Sequence, residues 1–268
     1  MTTSEEFRLT ITNFYHSHRR DLPWRNTTDP YRILVSEIML QQTQVERVRE
    51  KYSHFIARFP DVESLARASI EEVLSEWQGL GYNRRALALK KAAGEIVERF
   101  RGVLPEDEKN LRSLPGIGPY TAAAILAFAF NRPVVMIETN IRRVFIHCFF
   151  QDRTEVADRE ILPLIEATLD RENPREWYNA LMDYGYHLGT TIENPNRRSR
   201  HYQRQSSFEG SNRQIRGKIL RLLVDGGEQA TGDLCRNLDL PTSAIAPVLK
   251  QLEDEGFISR EENRVRIA

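Results

Sequence analysis

The chain has 268 residues, 40% of them hydrophobic, enough to bury a substantial core in one large domain or in two to three small ones. Its 38 lysines and arginines balance 38 aspartates and glutamates, so no bulk positive field draws a polyanion, and any nucleic-acid contact must come from locally clustered charge. No stretch approaches the ~20 apolar residues of a membrane span, and the two cysteines, Cys148 and Cys235, sit far apart in apolar-periodic segments, so a soluble protein of a reducing, intracellular compartment with buried thiols is expected.

Up to about residue 210, apolar side chains recur at three- and four-residue intervals, as at Val45, Val48, Tyr52, Phe55 and Phe59, which predicts an all-helical region. Turn signals divide it at TTDP before Tyr31, FPDVES after Phe59, GLGYN at Gly79, GVLPEDE at Gly102, NRP at Asn131 and ENP at Glu172 and Glu193. Thr43 and Glu46 read as a T-x-x-E capping box, so that one helix ends near Gln41 and Gln42 and the next begins after Thr43. In GLGYNRRA, Leu80 and Tyr82 offer apolar and aromatic faces at a glycine turn, with Arg84 and Arg85 available to phosphates.

The stretch LPGIGPYTAAAIL carries Gly116 and Gly118 ahead of a helix that begins near Tyr120. Glycine at two positions permits positive φ and a close approach, and the helix start aims N–H groups outward. A phosphate at this turn and an ordinary corner between helices both satisfy the pattern. Beyond SSFEGSNRQ a helix with Ile215, Ile219, Leu222 and Leu223, two further helical stretches, and FISR and VRIA flanking EENR as a hairpin follow. Residues 211–268 thus resemble a winged helix-turn-helix with TSAIAPVLKQLEDEGFI as recognition helix. That helix holds Lys250 but also Pro247, Glu253, Asp254 and Glu255, so it is not expected to read bases. Clamping by the wing arginines Arg260, Arg264 and Arg266, or a protein contact, are equal alternatives for the tail.

Glu37 lies among Leu34, Val35, Ile38 and Leu40, where desolvation would raise its pKa and let it carry a proton near neutral pH. Such an acid beside an extruded purine suits depurination, because a base protonated at N7 leaves its sugar more easily. Without further context a lone helical glutamate is more often a solvent-facing side chain.

LPGIGPYTAAAIL, LPWRNTTDPYRILVSEIMLQQTQV, VLSEWQGLGYNRRALALKKAA, ETNIRRV and NALMDYG occur in an order that resembles the helix-hairpin-helix DNA glycosylase superfamily, closest to its MutY-type adenine glycosylases, over roughly residues 20–190. The resemblance implies an all-α fold of two helical subdomains, residues 28–134 with the hairpin at 111–126 and residues 1–27 plus 135–210, followed by the winged-helix-like residues 211–268. It implies that Glu37 is the acid, that Glu138 stands where the family has the aspartate that stabilises the sugar cation, and that Asn140 is the familiar asparagine. Tyr120 stands where bifunctional relatives have a lysine nucleophile, so a monofunctional, water-using enzyme is implied.

The same resemblance places Gln41, Gln42, Thr43, Leu80, Tyr82, Arg84, Arg85, Gly116, Gly118, Tyr120, Arg142 and Arg143 against DNA, with a monovalent cation commonly bound at the hairpin. Glu138 is a departure: its carboxylate sits one methylene further out, and ~1 Å of misplacement at a reacting centre costs about a hundredfold in rate. No cysteine occurs in YHLGTTIENPNRRSRHYQRQSSFEG, the stretch after NALMDYG, so neither the relatives' iron–sulfur cluster nor any other cofactor is expected. The basic segment with Arg197, Arg198, Arg200, Arg204, Arg213, Arg216 and Lys218 is expected to contact DNA in the cluster's place. The expected substrate is duplex DNA bearing adenine opposite guanine or 8-oxoguanine, bound by a monomer in the cytoplasm or on the nucleoid. Removal of thymine, uracil or another damaged base, and non-catalytic DNA binding, are the alternatives.

Overall fold

The computed structural model describes residues 3–203 and 208–268; Arg204 lies outside them. The contacts divide the chain into two compact units. The first comprises Met1–Glu37, Pro105–Ser113 and Ile117–Arg204, and holds α1 (Ser4–His18), the start of α2 (Pro30–Leu40), α7 (Glu108–Ser113), α8 (Pro119–Phe128), α9 (Thr139–Phe149), α10 (Asp158–Thr168) and α11 (Pro174–Thr191). α1 opens with a capping box, the Glu6 N–H donating to Thr3 Oγ1 at 3.2 Å, which satisfies an N–H the helix itself cannot. One turn on, Phe7 is buried with its ring 5.1 Å from Phe145 of α9 and 5.9 Å from Trp177 of α11. α11 is the spine of this unit: α1, α8 and α9 all pack on it.

The second unit comprises Ile38–Leu104, Leu114–Gly116 and Gln205–Ala268. It contains α3 (Val45–Arg58), α4 (Val62–Arg67), α5 (Ile70–Trp77), α6 (Arg84–Phe100), α12 (Asn212–Gly226), α13 (Thr231–Leu238), α14 (Thr242–Asp254) and the strands β1 (Gln229–Ala230), β2 (Ile258–Glu261) and β3 (Arg264–Ile267). Asp61 and Ser69 cap α4 and α5 with reciprocal side-chain bonds. The buried Trp77 then meets Phe55 of α3 edge-on at 5.9 Å. β2 and β3 form the expected antiparallel hairpin and β1 adds to its other edge, giving the order β1-β3-β2 and completing a winged helix.

These units are drawn differently from the expected subdomains. α8 has Thr121–Phe128 buried on every side and packs on α7 and α11, so it belongs with the first unit rather than with residues 38–104. The tail does not stand apart, because α12 packs on α5. Among the described residues no helix is long and apolar enough to cross a membrane.

Candidate active site and nucleic-acid contacts

α2 begins at Pro30, whose fixed φ suits a first helical position, and the Asp29 carboxylate accepts the Arg32 N–H at 3.1 Å. The helix carries Ile33, Leu34 and Val35 into the core, and Glu37 goes with them, only 6% exposed. Burial, then the negative charge of Glu138, raise the Glu37 pKa to about 7, against which a hydrogen bond from Tyr120 acts. The Tyr120 hydroxyl reaches Glu37 Oε2 at 3.4 Å. Burial and the two carboxylates hold the tyrosine well above its ordinary pKa, so it stays a neutral donor.

Glu138 caps α9. Its Oε1 accepts the N–H groups of Asn140 at 2.7 Å and Ile141 at 2.8 Å, and its Oε2 accepts from Asn140 Nδ2 at 3.3 Å. Burial raises its pKa, and the two backbone N–H groups and the charges of Arg143 and Arg142 offset part of that rise, while a helix N-terminus favours the anion. Among the described residues Glu37 has no such donor beyond Tyr120. Two carboxylates that sense each other are therefore held in different environments, one poised to carry a proton near neutrality and one anchored for charge.

The longer side chain at position 138 is accommodated by bonding back to its own helix start, so the carboxylate remains part of the backbone framework. Asn140 is fixed in turn: its Oδ1 accepts from Arg143 Nη1 at 2.8 Å, and that same nitrogen donates to the Gly185 carbonyl at 2.5 Å. Gly185 and Gly189 lie one turn apart on α11, and their reason is visible only here. A Cβ on Gly185 would stand 2.5 Å from the Asn140 carbonyl oxygen, and one on Gly189 2.5 Å from Arg143 Nη1. Gly185→Ala must shift the start of α9 and Glu138 with it. A loss of about 1–3 kcal/mol of stability and at least about tenfold in base release is expected, read by thermal melts and single-turnover kinetics.

The hairpin glycines have separate tasks. Gly116 alone takes positive φ, +78°, and an added Cβ would lie 2.8 Å from the Ala88 Cβ of α6. Gly118 is extended at φ −84°, caps α8 without a side chain, and has open space where a Cβ would be. The first glycine therefore serves packing, and only the second leaves room for an approaching group.

In the second unit, Gln42 and Tyr82 both adopt left-handed backbone, φ +55° and +48°, which costs a non-glycine residue about 1 kcal/mol or more and is concentrated at functional sites. Gln41 and Tyr82 are half-buried and Gln42 is exposed. The neighbouring expectations need correction. Thr43 caps nothing: α3 starts after Gln44 without a side-chain cap, and Thr43 Oγ1 instead donates to the Leu80 carbonyl at 3.3 Å and accepts from Arg85 Nη2 at 2.9 Å. Leu80 is 2% exposed, a core side chain rather than an inserting tip. Arg85 donates to the carbonyls of Ile38 and Met39 at 2.8 Å and of Gln41 at 2.5 Å, so it laces the loops together and is spent on backbone rather than phosphate. Burial lowers its pKa to about 10.

Other basic residues are also engaged within the protein. Arg142 clasps Asp158 at 2.7 Å through two nitrogens, and Arg143 holds Asn140, Asn194 and Gly185. Arg197 pairs with Glu193, and Arg198 donates to the carbonyls of Phe150 and Gln151. Arg197 and Arg200 are both exposed. Arg84 bonds Glu255 at 2.6 and 2.9 Å. Cys148 and Cys235 are free and half-buried, and with only two cysteines in the chain the residues present do not fit a four-thiolate cluster.

Residues 35–166 match the HhH-GPD family, described as the HhH-GPD superfamily base excision DNA repair protein, and residues 213–260 match bacterial regulatory proteins of the arsR family. The chain is 37% identical over 188 residues to an adenine DNA glycosylase of Buchnera aphidicola subsp. Baizongia pistaciae, a match covering 68% of this chain and 53% of that protein. It is 35% identical over 238 residues to an adenine DNA glycosylase of Mycolicibacterium smegmatis, covering 82% and 81%. Among solved structures, a thermostable thymine-DNA glycosylase superposes with a TM-score of 0.64 at 28% identity, over 72% of this chain and 90% of that one. The chain thus spans about half the length of the Buchnera protein and most of the Mycolicibacterium one.

Proposed function

The chain belongs to the HhH-GPD superfamily of base excision DNA repair proteins, and from that premise we propose that it is a monofunctional DNA glycosylase releasing adenine mispaired with guanine or 8-oxoguanine. The observation that carries this reading is the pairing of Glu37, protonated up to about pH 7, with Glu138 anchored on two backbone N–H groups. Glu37 donates its proton to N7 of a flipped adenine, the C1′–N9 bond breaks with its electrons passing to the base, and the Glu138 carboxylate stabilises the sugar cation until water adds. Tyr120 has no amine with which to form a Schiff base, so strand cleavage does not follow base release. Protein side chains and water suffice, a monomer is a complete catalyst, and its place of action is wherever the genomic duplex is.

The thymine-DNA glycosylase among the similar structures favours a second reading, removal of thymine or uracil opposite guanine. A pyrimidine has no N7 to protonate, so the raised pKa of Glu37 weighs against it. The test is excess purified protein with labelled duplexes carrying adenine, thymine or uracil opposite guanine, and adenine opposite 8-oxoguanine, run on denaturing gels with and without hot alkali. Alkali-dependent breakage at adenine alone is expected. Breakage at thymine or uracil instead would move the assignment to pyrimidine repair, and tight binding without breakage would make this a non-catalytic DNA-binding protein.

A further inference from the structure

The second unit holds a groove of about 1360 Å³ between the loops bearing Gln41, Gln42 and Tyr82 and the tail helix α12. In a chain whose charges cancel overall, the described residues lining it include seven arginines and lysines and no carboxylate. Arg84 and Arg216 share Glu255, and Arg221 lies 3.4 Å from Asp225, so two acids meet part of this charge and the cleft keeps a net positive sign that attracts a polyanion. The tail is fastened there by side chains. Glu255, just past α14, bonds both Arg84 and Arg216 of α12, Gln78 donates to Asp225 at 2.8 Å, and Arg213 donates to the Tyr82 hydroxyl with its guanidinium 5.3 Å from the ring centre.

α12 turns a basic face to the groove with Arg213, Lys218 and Arg221, and Arg47 adds to the lining from α3. Lys218 and Arg47 are exposed and have no acidic partner among the described residues. Phe208 lines the groove as well and is 57% exposed, an aromatic face of the kind on which bases stack. Arg266 pairs with Glu261 inside the wing, Arg260 with Glu253 of α14 and Arg264 with Glu228 just ahead of β1, so all three wing arginines are met by acids of the tail.

We infer that the winged-helix tail binds DNA through α12 rather than through α14 or the wing, seating in this groove the backbone of the strand that keeps its base when the opposite base is flipped out. This rests on the glycosylase reading for the existence of an orphaned base. Gln41, Gln42 and Tyr82 line the same groove with amide edges and a ring that suit the unpaired base, and the cations of α12 suit the phosphates on either side of it.

The test measures affinity of the full chain for a duplex with a non-cleavable 2′-fluoro-adenosine opposite guanine, across a salt series. Lys218→Glu/Arg221→Glu changes exposed residues only, and circular dichroism confirms that the fold is kept. The expected result is a loss of roughly ten- to a hundredfold in affinity and a drop of about 2 in the slope of log affinity against log salt. Lys250→Glu on α14 and Arg264→Glu on the wing should bind as the parent does. Methylphosphonate substitution should weaken parent binding when placed on the guanine strand, and should weaken the double variant less. If the double variant keeps the parent's affinity and slope, or if Lys250→Glu or Arg264→Glu costs as much as it does, the inference is overturned. Base release by the parent is read separately on the cleavable duplex. Absence of release together with the α12 effect would remove the glycosylase reading and leave α12 as a DNA-binding face.

Discussion

Glu37→Gln is expected to lower adenine release from an adenine–guanine duplex by about 10²–10⁴-fold, the range by which a positioned general acid contributes, and to make the protein more stable in mild alkali. Both effects come from one cause. Glutamine keeps the volume and a hydrogen-bonding group but cannot give up a proton. Folding moves the Glu37 pKa from 4.5 to about 7, so the native state binds the proton more tightly than the unfolded one. The stabilisation this gives relative to the ionised form is fully present below about pH 4.5 and is lost as the pH rises through 7, for a total of about 3 kcal/mol. A neutral amide escapes that loss.

Melting curves of the two proteins should therefore lie close at pH 5 and separate at pH 8 with the variant higher, while parental single-turnover release declines above pH 7. A variant no more stable than the parent at pH 8 would mean that Glu37 is not a buried, desolvated acid, and an undiminished rate would remove it from the chemistry. A pyrimidine-specific enzyme should tolerate the amide far better, since no N7 proton is needed.

Glu37, Tyr120 and Glu138 were singled out because each lies in a short motif of the resembled family, and the structure brings the three side chains together. The apolar residues beside Glu37 on its helix signalled a buried face, while the groups that act on it, Tyr120 and Glu138, come from distant parts of the chain. Arg85 and Thr43 were not legible. In sequence, an arginine next to a glycine turn looks alike whether its guanidinium faces a phosphate or carbonyls, and what decides is the arrangement of the Ile38–Gln41 backbone more than 40 residues away. Leu80 fails as an inserting residue for the same reason, since a loop leucine is buried or offered according to what packs beneath it.

Gly185 closed a recognised motif without a task and Gly189 lay outside any, because their space is taken by Asn140 and Arg143 of another helix. The tail was legible as helix, helix, helix and hairpin, yet nothing local announced which face it uses. The bond from Arg213 to Tyr82 joins residues 131 apart, and the groove exists only once they meet. What pattern reading gives well is what one element decides alone. Pairings between distant elements supply the rest, and in this chain they decide which cations are spent on structure and which remain on the surface.

Asp183→Ala is expected to destabilise the protein by about 3–5 kcal/mol, as removal of one partner from a buried ion pair does, with little direct effect on the chemistry. Asp183 lies on α11 with its side chain 1% exposed, and two arginines from the segment after α1 converge on it. Arg25 donates through both terminal nitrogens at 2.7 and 2.8 Å, and Arg20 through its side chain at 2.6 Å and its backbone N–H at 3.0 Å. Burial by itself would raise the aspartate's pKa, but the bonds and charge of Arg25, with the bonds of Arg20, outweigh it and leave the carboxyl below its ordinary value. A depressed pKa contributes stability above the unfolded value, near 3.9, and that contribution is lost as pH falls through the folded one. Truncation leaves the Arg25 guanidinium, 9% exposed, without its counter-ion, and a charge so placed costs more than the pair contributes. Arg20 retains its place over the Tyr186 ring, 4.2 Å from its centre, so the amino-terminal segment loosens without being released. Urea unfolding at pH 7 should show the full loss, and the difference between variant and parent should shrink below pH 4, where the parent's carboxylate itself becomes protonated. At 10 °C, where both proteins are folded, the single-turnover rates should agree within about threefold, because among the described residues Glu37, Tyr120 and Glu138 make no bond to this cluster. A rate that fell in step with stability would show instead that the α1–α11 clasp sets the position of the catalytic carboxylates.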